Sequence, residues 1–254
     1  MERTLHRQLK QHFAGENSEI EVTLGRYRID IVDGDKLVEV QVSGLSAIRD
    51  KIKDLVLNHD VEIIKPVIAR KQLIQLTRKN GKEKSRRWSP KRGTRIDIFH
   101  ELIHFTQVFP HPRLKLTVPL ITIEEFRTKP KSRQWRRRKH QSHDQSLLEV
   151  VDLFSLRTHQ DLADFVPQEL RNEFDTGQLA EALEIERWVA QRVAYCLRKT
   201  ETARVVGKRG NALIYQINKS ATSKKSATKK QPAKQRVTKK RATKKRRNGK
   251  TAAA

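Results

Sequence analysis

Asp30 and Glu39 are the residues best placed to do chemistry. They flank Asp33-Gly34-Asp35, a turn signal between two alternating segments, 27–32 and 36–42. With Gly34 and Asp35 at the centre of the turn, Asp33 faces Lys36 and Asp30 faces Glu39; an Asp33-Gly34 turn makes the two acids diagonal neighbours instead. Either register predicts one polar face of Arg28, Asp30, Val32, Leu37, Glu39 and Gln41. The other face presents Ile29, Ile31, Val38, Val40 and Val42 to a core. A one-residue bulge in the turn would separate the acids. Like charges facing each other across a ladder destabilise it, and a hard cation between them removes the conflict. The carboxylates of Asp30 and Glu39 with the carbonyl of Val40 make a ligand set for Mg²⁺ or Mn²⁺, an ion that polarises a phosphate and generates hydroxide near neutral pH. The plain alternative is an amphipathic hairpin with a solvated polar face.

A second constellation is His100-Glu101-Leu102-Ile103-His104, which matches the H-E-x-x-H pattern of zinc peptidases, with Glu124 twenty residues beyond His104. Its surroundings argue against that use. Residues 84–94 read as a basic loop and 114–126 as a strand, whereas that protease class draws its third ligand from a second helix. The plain reading is an amphipathic helix with Ile98, Leu102 and Phe105 inward.

The elements around the acids come in a definite order. Leu5, Leu9 and Phe13 mark one face of a helix over 2–13, and three strands follow over 19–24, 27–32 and 36–42. A helix over 46–58 buries Ile48, Ile52, Leu55 and Val56, and a strand covers 61–68. This αβββαβ order, with Asp30 and Glu39-Val40-Gln41 on the central strand pair, resembles the PD-(D/E)xK nuclease superfamily over about the first 70 residues. The resemblance implies an α/β mixed-sheet core and metal-dependent phosphodiester hydrolysis. Gln41 stands where the superfamily usually has Lys, so Gln41 would orient the water while Lys51 or Lys53 of the next helix supplies the cation. Glu2 would match an extra acidic position of some members, although a helix dipole explains a first-turn Glu equally well.

Charge indicates the partner. The 254 residues carry 55 Lys or Arg against 29 Asp or Glu, a formal charge of +26, which repels itself unless a polyanion is bound. No acid follows Glu201, and residues 218–254 hold 15 of the basic residues with Val237 as the one large aliphatic. Their degenerate Ala-Thr-Lys-Lys units read as a disordered cationic tail similar in composition to linker-histone tails, suited to nonspecific phosphate binding. Without it, 40 basic residues still face 29 acids. Two further segments interleave Trp with cations: Arg86, Arg87, Trp88, Lys91 and Arg92, and Trp135, Arg136 and Arg137. Such clusters suit a phosphate-tracking groove with an aromatic free to stack on a base. No run of 18 apolar residues is present, the first ten residues do not read as a signal peptide, and the lone Cys196 excludes a disulfide framework. A membrane partner is not expected, and a cytoplasmic location is, nucleoid-associated if the source is bacterial.

From Ser146 onward the pattern turns helical: 147–154, 161–165, 176–185 and 186–199, then a hairpin over 203–206 and 212–217 around Gly207-Lys-Arg-Gly-Asn211. This order resembles the winged helix-turn-helix fold. It would place Arg187, Gln191, Arg192 and Arg198 in a DNA groove and Lys208 and Arg209 on the wing. The expected organisation is a nuclease-like domain over 1–130, a basic linker over 131–145, an α+β winged helix over 146–217 and the tail over 218–254. Leu5-His6, Glu39-Val40-Gln41, Ser89-Pro-Lys-Arg-Gly93 and Gly207–Asn211 together also resemble a bacterial family of uncharacterised proteins. The leading expectation is a Mg²⁺- or Mn²⁺-dependent DNA endonuclease. A noncatalytic DNA-binding protein is the alternative, and a zinc peptidase the third.

Overall fold

The computed structural model describes residues 3–129 and 140–218, so Glu2, Trp135, Arg136, Arg137 and the tail from 219 lie outside the described residues. The chain falls into two units, Met1–Lys224 and Lys225–Ala254, and every described residue belongs to the first. Helix α1 (Thr4–Phe13) precedes strands β1 (Glu19–Leu24), β2 (Tyr27–Asp33) and β3 (Lys36–Val40). Then come α2 (Arg49–Leu55), β4 (Asp60–Ile64), β5 (Val67–Leu76), β6 (Glu83–Trp88), the single turn α3 (Phe99–Leu102), β7 (Leu114–Thr128) and β8 (Gln141–Leu156). The chain continues through α4 (His159–Ala163), α5 (Thr176–Ala182), α6 (Arg187–Lys199), β9 (Ala203–Arg209) and β10 (Ala212–Ile217). It is a mixed α/β fold.

Strands β1 to β8 form one mixed sheet. The turn at Gly34, where φ is +59°, sets Asp33 opposite Lys36 and Ile31 opposite Val38, as the turn residues predict. Strands β4 and β5 run parallel to β7 in one register, Val61 beside Leu114 and Val67 beside Leu120. They are one long strand interrupted at Lys65-Pro66, where proline has no N–H to give the ladder. The expected strand over 61–68 is this junction. Strand β8 pairs with β7 along its whole length.

Both faces of the sheet are covered. Leu5 and Leu9 of α1 pack with Ile31, Val38, Val40, Ile64, Ile121 and Ile123. On the other face Leu37, Ile63, Leu116 and Val118 meet α2, α3 and the C-terminal helices in a single larger cluster that runs on to Leu179, Val193, Leu197 and Ile217. The expected division of the hairpin into one solvated and one core face is therefore corrected. Ile29 joins the α2-side cluster although Ile31 joins the α1 side, so β2 turns over at Asp30. Opposite it, Glu21 of β1 is left-handed, with φ +61°.

The C-terminal region needs a larger correction. The segment expected as a helix over 147–154 is the middle of β8, and the large sheet extends to Leu156 instead of ending near 130. The expected linker residues 140–145 lie at or in the start of that strand. A helical region thus begins at α4, not at Ser146. Its Asp175 caps α5, accepting from the Gly177 and Gln178 amides at 2.7 and 3.0 Å. Phe174 adds a one-residue bridge to Tyr215 beside the β9–β10 hairpin. Residues 84–88, read as part of a basic loop, lie in the strand β6.

Candidate functional site

Asp30 and Glu39 meet where the β2–β3 ladder ends. The last regular pair is Ile31 with Val38; beyond it the Val40 amide is taken by the Asp30 side chain, N to Oδ2 at 2.9 Å. Two helices then supply partners from opposite sides. From α1, His6 Nε2 lies 2.7 Å from the Val40 carbonyl oxygen and 3.3 Å from Asp30 Oδ2, and Lys10 Nζ is 3.9 Å from Asp30 Oδ1. From α2, Lys51 Nζ donates to both oxygens of Glu39 at 2.7 Å and to the Arg28 carbonyl at 2.5 Å. The expectation of one shared polar face is thus replaced by two buried or half-buried carboxylates approached from two layers.

Their charges interact. Burial works to raise the Asp30 carboxyl, but the hydrogen bonds from His6 and the Val40 amide, with the positive charges nearby, hold it below its ordinary 3.8. Glu39 is 8% exposed; burial and then the Asp30 charge push it above its ordinary 4.5 against the pull of Lys51. One acid is therefore kept ionised and the other is set nearer neutrality.

Of the two lysines offered by the next helix, α2 brings in Lys51, while Lys53 is exposed beside Asp50. Gln41 does not point its amide at the acids. Its Nε2 donates to Ser43 Oγ and the Gly44 carbonyl, both at 2.8 Å, and so braces the loop leaving β3. Lys65 and Glu101 fasten the same loop: Lys65 Nζ reaches the Val42 and Ser43 carbonyls at 3.2 and 2.7 Å, and Glu101 accepts from the Leu45 amide at 2.9 Å. Sequence reasoning missed His6, Lys10, Lys65 and Glu101 as neighbours of the site. The signal for the first two is their four-residue spacing on α1, one helical turn apart.

The His100–His104 segment covers the last three residues of the single turn α3 and the turn that follows, after a 3₁₀ turn over Arg95–Ile98, not the expected regular helix. Its side chains face different neighbours. His100 stacks on Trp188 of α6 at 5.2 Å and its Nδ1 lies 2.9 Å from Arg192 Nη1, Glu101 holds Leu45, and Glu124 is paired with Arg86. Among the described residues no group of three or more His, Cys, Asp or Glu is disposed to hold a metal ion.

Cations expected to meet DNA are only partly available. All six residues of β6 are exposed; Arg86 is engaged by Glu83, Gln72 and Glu124, Trp88 carries the Arg70 guanidinium 4.3 Å above its ring, and Arg87, Lys91 and Arg92 face solvent. On α6, Arg187, Gln191 and Arg198 are exposed. Arg192 is a correction, because it is drawn into the contact between α6 and α3 by His100 and the face of Trp188. On the hairpin Lys208 and Arg209 are exposed, with Arg209 3.8 Å from Asp175.

Residues 3–157 match the model of a family described as a domain of unknown function, DUF8091. The chain belongs to this family. The match ends one residue past β8, so the family's domain includes the strand that sequence periodicity had read as a helix. The chain is also 32% identical over 178 residues, 70% of each chain, to an uncharacterized protein of Treponema pallidum (strain Nichols). No solved structure matches. Among the described residues no helix is long and apolar enough to cross a membrane.

Proposed function

We propose that the protein is a divalent-metal-dependent phosphodiesterase acting on nucleic acid, DNA first, with its chemistry at the rim formed by Asp30, Glu39 and Val40. The observation that carries this reading is the convergence of the Asp30 Oδ2 and the Val40 carbonyl oxygen on one point, held by His6 Nε2, beside a second carboxylate. Hard oxygen donors of this kind fit Mg²⁺ or Mn²⁺. Bound there, such an ion would polarise a phosphate and lower the pKa of its water. Asp30 stays ionised for binding, because His6 and the Val40 amide favour its charged form. Lys51 favours the charged form of Glu39 against burial, and Lys51 stands ready to face developing charge on a phosphate when Glu39 turns to a cation. The exposed cations of β6 and α6 would hold the backbone of the polyanion. The helix order α4 to α6, the Phe174 bridge and the hairpin support the winged-helix reading of the C-terminal part.

The test is cleavage of supercoiled plasmid in Mg²⁺ or Mn²⁺ by the full chain. Cleavage is expected from the wild type and a loss of at least about 100-fold in Asp30→Asn, Glu39→Gln and Lys51→Met. No cleavage with either cation, or cleavage indifferent to Asp30→Asn, removes the catalytic reading. A noncatalytic DNA-binding protein is the second reading, favoured by the commitment of Gln41 to Ser43 and Gly44 and of Glu39 to Lys51. It predicts DNA binding that survives the same three substitutions.

A further inference from the structure

One buried cation of the sheet is not directly paired among the described residues. Arg127 of β7 is 9% exposed, its Nε is buried without an acceptor, and its guanidinium makes no ion pair or hydrogen bond among the described residues. A buried charge without a partner is costly, so it points to a missing ligand. Its neighbours deepen the imbalance. Register places Leu73 of β5 opposite Glu125 of β7 and Arg87 of β6, and Gln75 opposite Arg127, so residues two apart on these strands share one face. Among the described residues of β5, β6 and β7 that face carries Lys71, Arg87 and Arg127 with the carboxylate of Glu125. Glu125 is already spent on Lys71, with Oε2 2.6 Å from Nζ. Burial and the Arg87 charge work against the charge of Arg127 and outweigh the help of the Glu125 charge, yet a guanidinium does not give up its proton.

We infer that this face of β5, β6 and β7 is an oxyanion site for a phosphate group, with Arg127 and Arg87 as donors and the Lys71–Glu125 pair as its wall. Phosphate suits it because the two guanidiniums of this face meet a compact, multiply charged acceptor, and the planar fork of Arg bonds phosphate oxygens in pairs. The phosphate is either a free ion or one phosphodiester of a nucleic-acid backbone. The site requires no metal and no cleavage at Asp30, so it stands or falls apart from the catalytic reading.

Thermal unfolding of the full chain in inorganic phosphate and in chloride at equal ionic strength tests it. A ligand that binds only the folded state raises Tm, so phosphate is expected to stabilise the wild type beyond chloride. Arg127→Met removes the unpaired charge. It is expected to raise Tm in chloride by about 2–4 °C and to abolish the phosphate response. Identical wild-type curves in the two salts, or a phosphate response that persists in Arg127→Met, overturn the inference, since binding by surface lysines would not depend on this residue. Should Arg127→Met not fold, exposed Arg87→Gln carries the same test and must weaken the response. Duplex DNA binding against salt then separates the two sources. A slope of log affinity on log salt that falls by about 0.9 in Arg127→Met assigns the site to a backbone phosphate, and an unchanged slope assigns it to the free ion.

Discussion

The rim at Asp30 and the face at Arg127 are opposite solutions to placing charge in one sheet. At the rim each of two carboxylates has direct partners, His6 and Lys10 on one side and Lys51 on the other. At Arg127 a buried cation has no hydrogen-bonded carboxylate among the described residues, because the neighbouring Glu125 is bonded to Lys71. A compensated site is stable as it stands, so a ligand must displace something; an uncompensated one gains stability when a ligand arrives. The contrast teaches that metal binding at the rim would be a competition with Lys51, whereas anion binding at Arg127 would complete the fold.

The sharpest way to break the comparison is to remove the compensation. Lys51→Met leaves Glu39 buried without its partner and should cost about 3 kcal/mol in urea unfolding at neutral pH, with most of it restored in the double variant Lys51→Met, Glu39→Gln. A single-variant cost under about 1 kcal/mol would show that Glu39 does not depend on Lys51.

Next in size is the response to pH. Glu39 is raised in the fold, so the stability it contributes is full below 4.5 and is lost as pH rises through its higher folded value. Asp30 is lowered, so its contribution is present above 3.8 and is lost as pH falls through its lower folded value. Glu39→Gln should therefore be more stable than the wild type at neutral pH relative to the difference at pH 4, and Asp30→Asn should lose the acid-side decline. Denaturant midpoints across that range read both slopes, and parallel profiles for all three proteins would refute the opposed shifts.

The smallest effects concern the partner surface. Arg187→Ala and Arg198→Ala should each lower the salt slope of DNA binding by about 0.9, while Arg192→Ala should change it less and instead cost about 1 kcal/mol of stability through the lost contact with His100 and Trp188. Equal slope changes at all three positions would mean that Arg192 leaves His100 when DNA binds.

The αβββαβ succession and the Asp33–Lys36 register were legible because each depends on residues close in sequence: an alternation of period two and a turn at Gly34. Strand β8 was not. Its pairing with β7 slips three times, leaving His143, Leu148 and Val151 as extra residues. Each bulge shifts the alternation by one, so the inward positions of β8 fall at spacings that imitate a helix. Gly93 makes a related point about close approach. A Cβ there would lie 2.3 Å from the Ile68 carbonyl oxygen, which explains the glycine in the basic segment without reference to nucleic acid.

By itself the sequence determined the excess of positive charge, the order of the first six elements and the nearness of Asp30 to Glu39, since composition and short-range periodicity need no distant partner. Only the tertiary structure decided that His6 meets Val40, that Lys51 rather than Lys53 reaches Glu39, that Gln41 turns away, that Arg192 is occupied and that Arg127 is not. Those outcomes depend on how a helix docks on a sheet or which strands become neighbours, and a spacing within one element, such as that of His6 and Lys10, does not name the distant residue it will meet.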